Sequence, residues 1–212
     1  VNMLPSTAIV KSLGAGQQIK ISYSKRLQRP GTIYLNPFIS ASDSYNRTQG
    51  NPYLKPEILH ATELSYSINH KNNFYSGTIF YRINNRSIDR YTMISYDTTA
   101  KGVVSTTTYD NIGSNRSWGV ALTASIEVLQ YLNLRSNLNI NTYHVQTSGK
   151  DYYYASSSAR STVLSMNVNA TWRLRKDLSL ETFFTAKTAQ KTIQGYGNGF
   201  TLFNMAIQKT II

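Results

Sequence analysis

Residues 132 to 141 read LNLRSNLNIN and set Leu132, Leu134, Leu138 and Ile140 on one parity against Asn133, Arg135, Asn137, Asn139 and Asn141 on the other. Successive side chains of a strand point to opposite faces, so a period of two describes a sheet with one apolar and one hydrated surface. The period returns in QQIKISYSK (17–25), TELSYSIN (62–69), WGVALTASIEV (118–128) and TVLSMNVNATWRL (162–174). It is weaker in FYSGTIFYRI, DLSLETFFTA and FTLFNMAIQK, where Phe74, Phe80 and Phe183 fall on the polar parity. About nine strands are expected, the first poorly defined, with no helix. Two architectures fit: a soluble antiparallel sheet, or a membrane barrel with its apolar face turned outward.

The connections separate these two. Short turns are expected near 14–17, 70–73, 129–131 and 175–177, and long connections near 28–58, 84–116, 146–159 and 190–199. They alternate along the whole chain. In an up-and-down sheet that places every tight turn at one end and every long loop at the other, which is the layout of outer-membrane barrels. Several alternating segments also reach the roughly 9 to 11 residues that cross a bilayer at a tilt, against about 5 to 6 in ordinary strands. Tyr66, Tyr75, Tyr81, Trp118, Tyr131, Tyr143 and Trp172 lie near segment ends or on the apolar parity, as interfacial aromatics do, although Tyr and Trp are also good strand formers.

Composition narrows the chemistry. Only 15% of residues are charged, and polarity comes mainly from Ser, Thr, Asn and 16 Tyr. The net charge of +12 favours anionic partners. Cysteine is absent, which excludes disulfides and thiolate chemistry. No apolar run approaches the ~20 residues of a spanning helix, so a membrane span must be made of strands. The opening VNMLPSTAIV shows no signal peptide, so the chain is expected to be either cytoplasmic or an internal piece of a longer protein.

No catalytic constellation emerges. His60, His70 and His144 have no metal-ligand spacing, the ten acids form no acid and base couple, and GYGNG (195–199) lacks the ending of a phosphate loop. No enzyme activity, metal or other cofactor is expected. The cations fall into two groups. Lys20, Arg82, Arg135, Arg173 and Lys187, with Asn137 and Asn139, lie on the polar parity and would face a barrel lumen or a plug within it. Arg26, Arg29, Arg47, Arg86, Arg90, Arg116 and Arg160 lie near the long connections, where they would meet lipopolysaccharide phosphates, an anionic ligand, or simply water.

YSKRLQRP (23–30), LNPF (35–38), GNPYLKPE (50–57), ELSY (63–66) and YDNIG (109–113) occur in that order. Together they resemble the C-terminal barrel portion of a TonB-dependent receptor, of the outer-membrane β-barrel family abundant in Bacteroidota. The resemblance implies an all-β, antiparallel, up-and-down transmembrane barrel in the bacterial outer membrane, of which residues 1–212 are a fragment of one domain. It implies a 22-stranded whole with an N-terminal plug, taking up a metal chelate, glycan or peptide with energy passed on by TonB. Neither plug, TonB box nor terminal aromatic strand is visible in this stretch. Implied partners are outer-membrane lipid and lipopolysaccharide, the plug and TonB through the full-length chain, and a surface lipoprotein or other barrel-associated subunit.

Within GNPYLKPE, Gly50 and Asn51 suit a turn, Pro52 and Pro56 stiffen the approach to the next strand, Leu54 is its apolar member, and Lys55 and Glu57 are placed to pair. The element is read as a shaper of the loop-to-strand junction. Two other classes fit the alternation: a structural or assembly barrel that carries no solute, and a soluble basic all-β module. Nucleic acid is not an expected partner, because stacking platforms belong on a polar face and most aromatics here share the apolar one. Ser136, on the apolar parity at mid-strand, fits none of these assignments.

Overall fold

The computed structural model describes residues 3–40, 43, 45–147, 158–192 and 194–210. In chain order the elements are β1 (Ser6–Gly14), β2 (Gln17–Gln28), a single helical turn α1 (Thr32–Leu35), β3 (Asn46–Thr48), β4 (Glu57–His70), β5 (Asn73–Asp97) and β6 (Gly102–Leu129). There follow β7 (Leu132–Thr147), β8 (Ser158–Arg173), β9 (Leu178–Lys187), β10 (Gln190–Thr192), β11 (Gly195–Gly197) and β12 (Phe200–Lys209). Each long strand pairs antiparallel with its neighbour in the order β1-β2-β4-β5-β6-β7-β8-β9-β12, giving the nine expected strands. Short β3 adds in parallel to β6, and β10 and β11 form a separate hairpin. Among the described residues β1 and β12 are the sheet's two edges.

Alternation and register agree. One register row on the apolar face carries Ile21, Leu64, Ile79, Val120, Ile140 and Leu164. These side chains are well exposed, Ile79 at 59%, because no second layer covers them. The next row toward the long connections holds Tyr23, Thr62, Tyr81, Trp118, Thr142 and Thr162. An apolar band bordered by aromatics and hydroxyls is the surface of a strand assembly that meets hydrocarbon and then headgroups. Of the aromatics read as interfacial, Tyr143 departs: its register partners Ser117 and Ser161 place it on the polar face, half-buried against Ile112 and Val145.

The expected loop 84–116 is largely strand. β5 and β6 run 25 and 28 residues and stay paired from the membrane zone out to Asp97 and Gly102. At about 3.4 Å per residue that is far more than a bilayer needs, so the hairpin projects well beyond it. A bulge breaks the register at Ser87 and Ile88, with Arg86 at φ 60°, and turns Ile112 inward. Ile112, Val145 and Ala159 then form a fully buried cluster, backed by Tyr91 and Tyr143. Gly113 is obligatory there, because a Cβ would lie 1.9 Å from the Gln146 carbonyl oxygen.

The first strand is well formed although its sequence hid it: Val10 falls on the polar face and Lys11 on the apolar one, so alternation is weak. Ser136 also finds its place. With Gly77, Ala124, Tyr66, Tyr75 and Leu138 it lines a hollow of about 450 Å³ in the apolar face, where small side chains stand between larger ones.

Candidate functional site

The polar face is the candidate site. One row across it reads Lys20, Ser65, Thr78, Ala121, Asn139, Ser165 and Lys187. The next row toward the tight turns contains Ser67, Ser76, Thr123, Asn137, Asn167 and Thr185. Arg135 pairs with Asn169 in the row below that, and Arg173 with Ser179 nearer the tight-turn end; Arg82 pairs with Ala61 and Ser117 toward the other. The register therefore puts all seven expected residues on one face. Hydroxyls and amides knit it together: Ser65 and Thr78 share a bond of 2.9 Å, Thr123 donates to Asn137 at 2.8 Å, and Thr185 donates to Asn167 at 2.9 Å. Such a surface binds water and polar solutes through neutral groups, with a few charges set among them.

The charges are not equivalent. Arg82 donates to Glu63 at 2.9 Å and lies 4.2 Å above the Phe80 ring, so its fork is held by a carboxylate while an aromatic supports its plane. The ring is buried at 3% exposure, which explains an aromatic on the polar parity. Beside this pair Lys20, Ser22, Ser24 and Arg26 line a hollow of about 600 Å³. Arg26, expected near a long connection, lies within β2. The register places it on the polar face and its neighbour Lys25 on the apolar one, a split that follows from strand geometry once β2 is known to run to Gln28.

GNPYLKPE is braced against YDNIG. Asn51 donates its side-chain amide to the Tyr109 carbonyl, the Lys55 N–H donates to Asn111 Oδ1 at 2.7 Å, and the Asn111 amide returns bonds to the carbonyls of Lys55 and Arg86. Tyr34 stacks on Tyr109 with centroids 4.3 Å apart. Gly50 allows the backbone to pass 2.6 Å from where its Cβ would stand against the Tyr34 and Asn36 carbonyl oxygens. Leu54 is buried. Pro52 and Pro56 precede β4 as expected, but Lys55 and Glu57 do not pair. Glu57 is buried and accepts the Ile88 N–H, because the bulge in β5 presents that donor beside it. The two signature motifs are thus halves of one clamp between the loop before β4 and the base of the β6 extension.

A further contact crosses the polar side at the long-connection end. The β10–β11 hairpin donates Lys191 N–H to Ser161 Oγ on the polar face of β8. Gln194 then accepts the Thr92 N–H and donates to the Thr92 carbonyl on the free edge of β5. Among the described residues no three His, Cys, Asp or Glu side chains gather as metal ligands would, and no helix is long and apolar enough to cross a membrane.

Several solved structures share this fold. The chain superimposes on the siderophore receptor PirA from Pseudomonas aeruginosa with a TM-score of 0.69 at 15% identity, covering 100% of this chain and 36% of that one. It matches a mutant ferric enterobactin receptor, PfeA, from the same organism in complex with enterobactin (TM-score 0.62, 16% identity, 97% and 32% covered). It also matches the copper transporter OprC (TM-score 0.60, 15% identity, 99% and 31% covered). The chain spans about a third of the length of these proteins. No curated protein sequence matches it. The profile of the outer membrane protein beta-barrel family matches residues 1–212, the whole of it. With its apolar band, aromatic border, hydrated face and segregated loops, the chain belongs to that family of bacterial outer-membrane barrels.

Proposed function

We propose that these strands are a contiguous part of the wall of one larger, plugged barrel that takes up a scarce solute, a metal chelate, glycan or peptide, with energy from TonB. The observation that carries this reading is the polar face, on which Lys20, Arg82, Arg135, Asn137, Asn139, Arg173 and Lys187 line up as an inner wall. The open edges at β1 and β12 support the larger barrel, because unpaired backbone groups are not stable in hydrocarbon. The names of the similar proteins, two siderophore receptors and a copper transporter, support solute uptake as the class of activity. The partners of the full-length protein are then a plug, TonB, a surface lipoprotein or other subunit, and the lipid and lipopolysaccharide around the barrel.

Two measurements test the proposal on the full-length protein in cells. A single Cys at Arg135 or Asn137 reacts with a membrane-impermeant, water-soluble thiol reagent added to opened envelopes, and one at Leu134 or Leu138 does not. The reverse pattern overturns the inner-wall assignment. Deleting the gene abolishes energy-dependent accumulation of at least one chelate, glycan or peptide from a labelled panel, and an uncoupler does the same. A deletion strain with unaltered uptake of every class, but with a defective envelope, makes this a structural barrel instead.

A further inference from the structure

Where β1, β2 and β4 adjoin, the polar wall has a floor of small side chains. The register sets Ser6 beside Ser24, Ala8 beside Ser22, and Ser24 beside Ala61, all on the polar face. Short side chains on three adjacent strands leave a depression, which is the hollow of about 600 Å³ beside Arg82 and Glu63. Its rim is long and charged. Lys20 and Arg26 stand at the two ends of the floor, six positions apart on β2 or about 20 Å along the strand, and Arg82 closes the β5 side. A wet face alone does not require this arrangement, because any polar residue satisfies it. Here the small side chains fall together and the cations fall around them.

The rim is short of counter-charge. Three of the four charged side chains lining the hollow are cations, and Glu63 is the remaining one. Among the described residues Glu63 is engaged by Arg82 at 2.9 Å, and neither Lys20 nor Arg26 has a carboxylate partner. Arg82 is held in place by that bond and by the Phe80 ring, 4.2 Å away. A guanidinium has five N–H donors, so the bond to Glu63 leaves others for a ligand. The volume falls within the roughly 300 to 1,000 Å³ of small-molecule sites. A recess lined mainly by one sign of charge also concentrates ions of the opposite sign, less so as salt rises.

Building on the uptake proposed above, we infer that this hollow binds a solute carrying carboxylate or phosphate groups, so that the cargo is an acidic chelate, glycan or peptide and not a neutral one. The Lys20 ammonium and the Arg26 fork take the oxyanion, and Arg82 fixes one side of the recess. The hydroxyls of Ser22 and Ser24 bind neutral polar groups on the body of the solute. The hollow opens on the polar wall and not on the lipid face, so a hydrated ion reaches it through water.

Binding is measured by calorimetry on the full-length protein in detergent, separately from the uptake panel. Citrate and inositol hexakisphosphate are the anions offered, and glucose and myo-inositol the neutral compounds. Wild type is expected to bind at least one anion about tenfold or more tighter than either neutral compound, with affinity falling as salt rises. The double variant Lys20→Gln, Arg26→Gln is expected to weaken anion binding about tenfold or more. The pair Lys20→Arg, Arg26→Lys keeps both charges and is expected to retain most of it. Ser22→Leu keeps every charge but fills the floor, and is expected to lose binding as well. Folding of each variant is verified by the heat-dependent shift in gel mobility. Absence of anion binding by wild type overturns the site; a hollow already filled by a carboxylate of the plug would give that result. Unchanged binding in the double Gln variant overturns it too, as does unchanged binding in Ser22→Leu, which would mark diffuse attraction to a basic wall. Failure of the acidic cargo and failure of uptake are distinguishable. Loss of neutral solutes alone on gene deletion overturns the acidic cargo and leaves uptake standing, whereas anion binding by a protein whose deletion alters no uptake supports the site and overturns transport.

Discussion

The same strands behave as two materials. From the tight turns to the row of Tyr81 and Trp118, β4 to β9 present an apolar surface to lipid and a hydroxyl and amide surface on the opposite face, and almost no side chain is fully buried. Above that row, β5 and β6 continue with β7 and β8 into a zone with Ile112, Val104 and Val145 at 0 to 1% exposure and with buried Glu57 and Ser87. The lower zone is held by ladder hydrogen bonds and by its solvent, the bilayer. The upper one stands in water and needs a core, so close packing returns where the membrane ends.

Mutations can sharpen that contrast. The largest effect is expected at the seam between the zones. Gly113→Val would place branched carbon into the Gln146 carbonyl, and only a backbone shift can relieve it; a loss of about 3 kcal/mol or more and rapid proteolysis of the extension are expected. Next, Val120→Arg on the lipid face should cost about 2 to 4 kcal/mol of stability in urea unfolding from lipid vesicles. Thr123→Arg, on the opposite face of the same strand, should cost far less. Equal losses would break the two-faced description.

Smaller effects belong to the clamp and the charges. Asn111→Ala removes three bonds to the Lys55 and Arg86 backbone and should cost about 1 to 3 kcal/mol, read as faster hydrogen exchange over residues 53–57. Asp89, in the extension beyond the membrane, has its pKa raised by burial and then by the nearby Glu57 carboxylate. Its folded-state pKa lies above the unfolded one, so its contribution is fully present below about pH 3.8 and is lost as pH rises through the folded value. Asp89→Asn should therefore flatten the fall in stability of the extension above that pH, measured by protease resistance across a pH series; an unchanged slope would refute it. Arg82→Ala should cost at most about 1 kcal/mol, because the pair with Glu63 is partly exposed, with side chains at 43% and 35%.

The zones also differ in how far the sequence reveals them. Where one face meets lipid, each position has a single acceptable polarity, and LNLRSNLNIN displays the answer directly. The orientation of all seven polar-face residues follows from that parity alone. In the extension both faces meet water or other protein, so SIDRYTMISYD and VVSTTTYDNIG carry no period of two and read as loop. The bulge at Ser87 and Ile88 then reverses the parity, so Ile112 turns inward where unbroken alternation would have turned it out. GNPYLKPE and YDNIG were both visible as motifs. Their union was not, because it rests on Asn111 reaching across 56 positions to Lys55. Arg116 and Arg160 likewise come to lie two strands apart in one row only after β6, β7 and β8 are in register.

Gln194 joins residues 102 positions apart with two bonds from one side chain. Closing so long a stretch of chain gains nothing until every hairpin between β5 and β9 has formed, so contacts of this kind come late in folding. The amide of Gln194 is a clock hand for assembly: protection of the Thr92 N–H from exchange marks the moment at which the intervening strands are all in place.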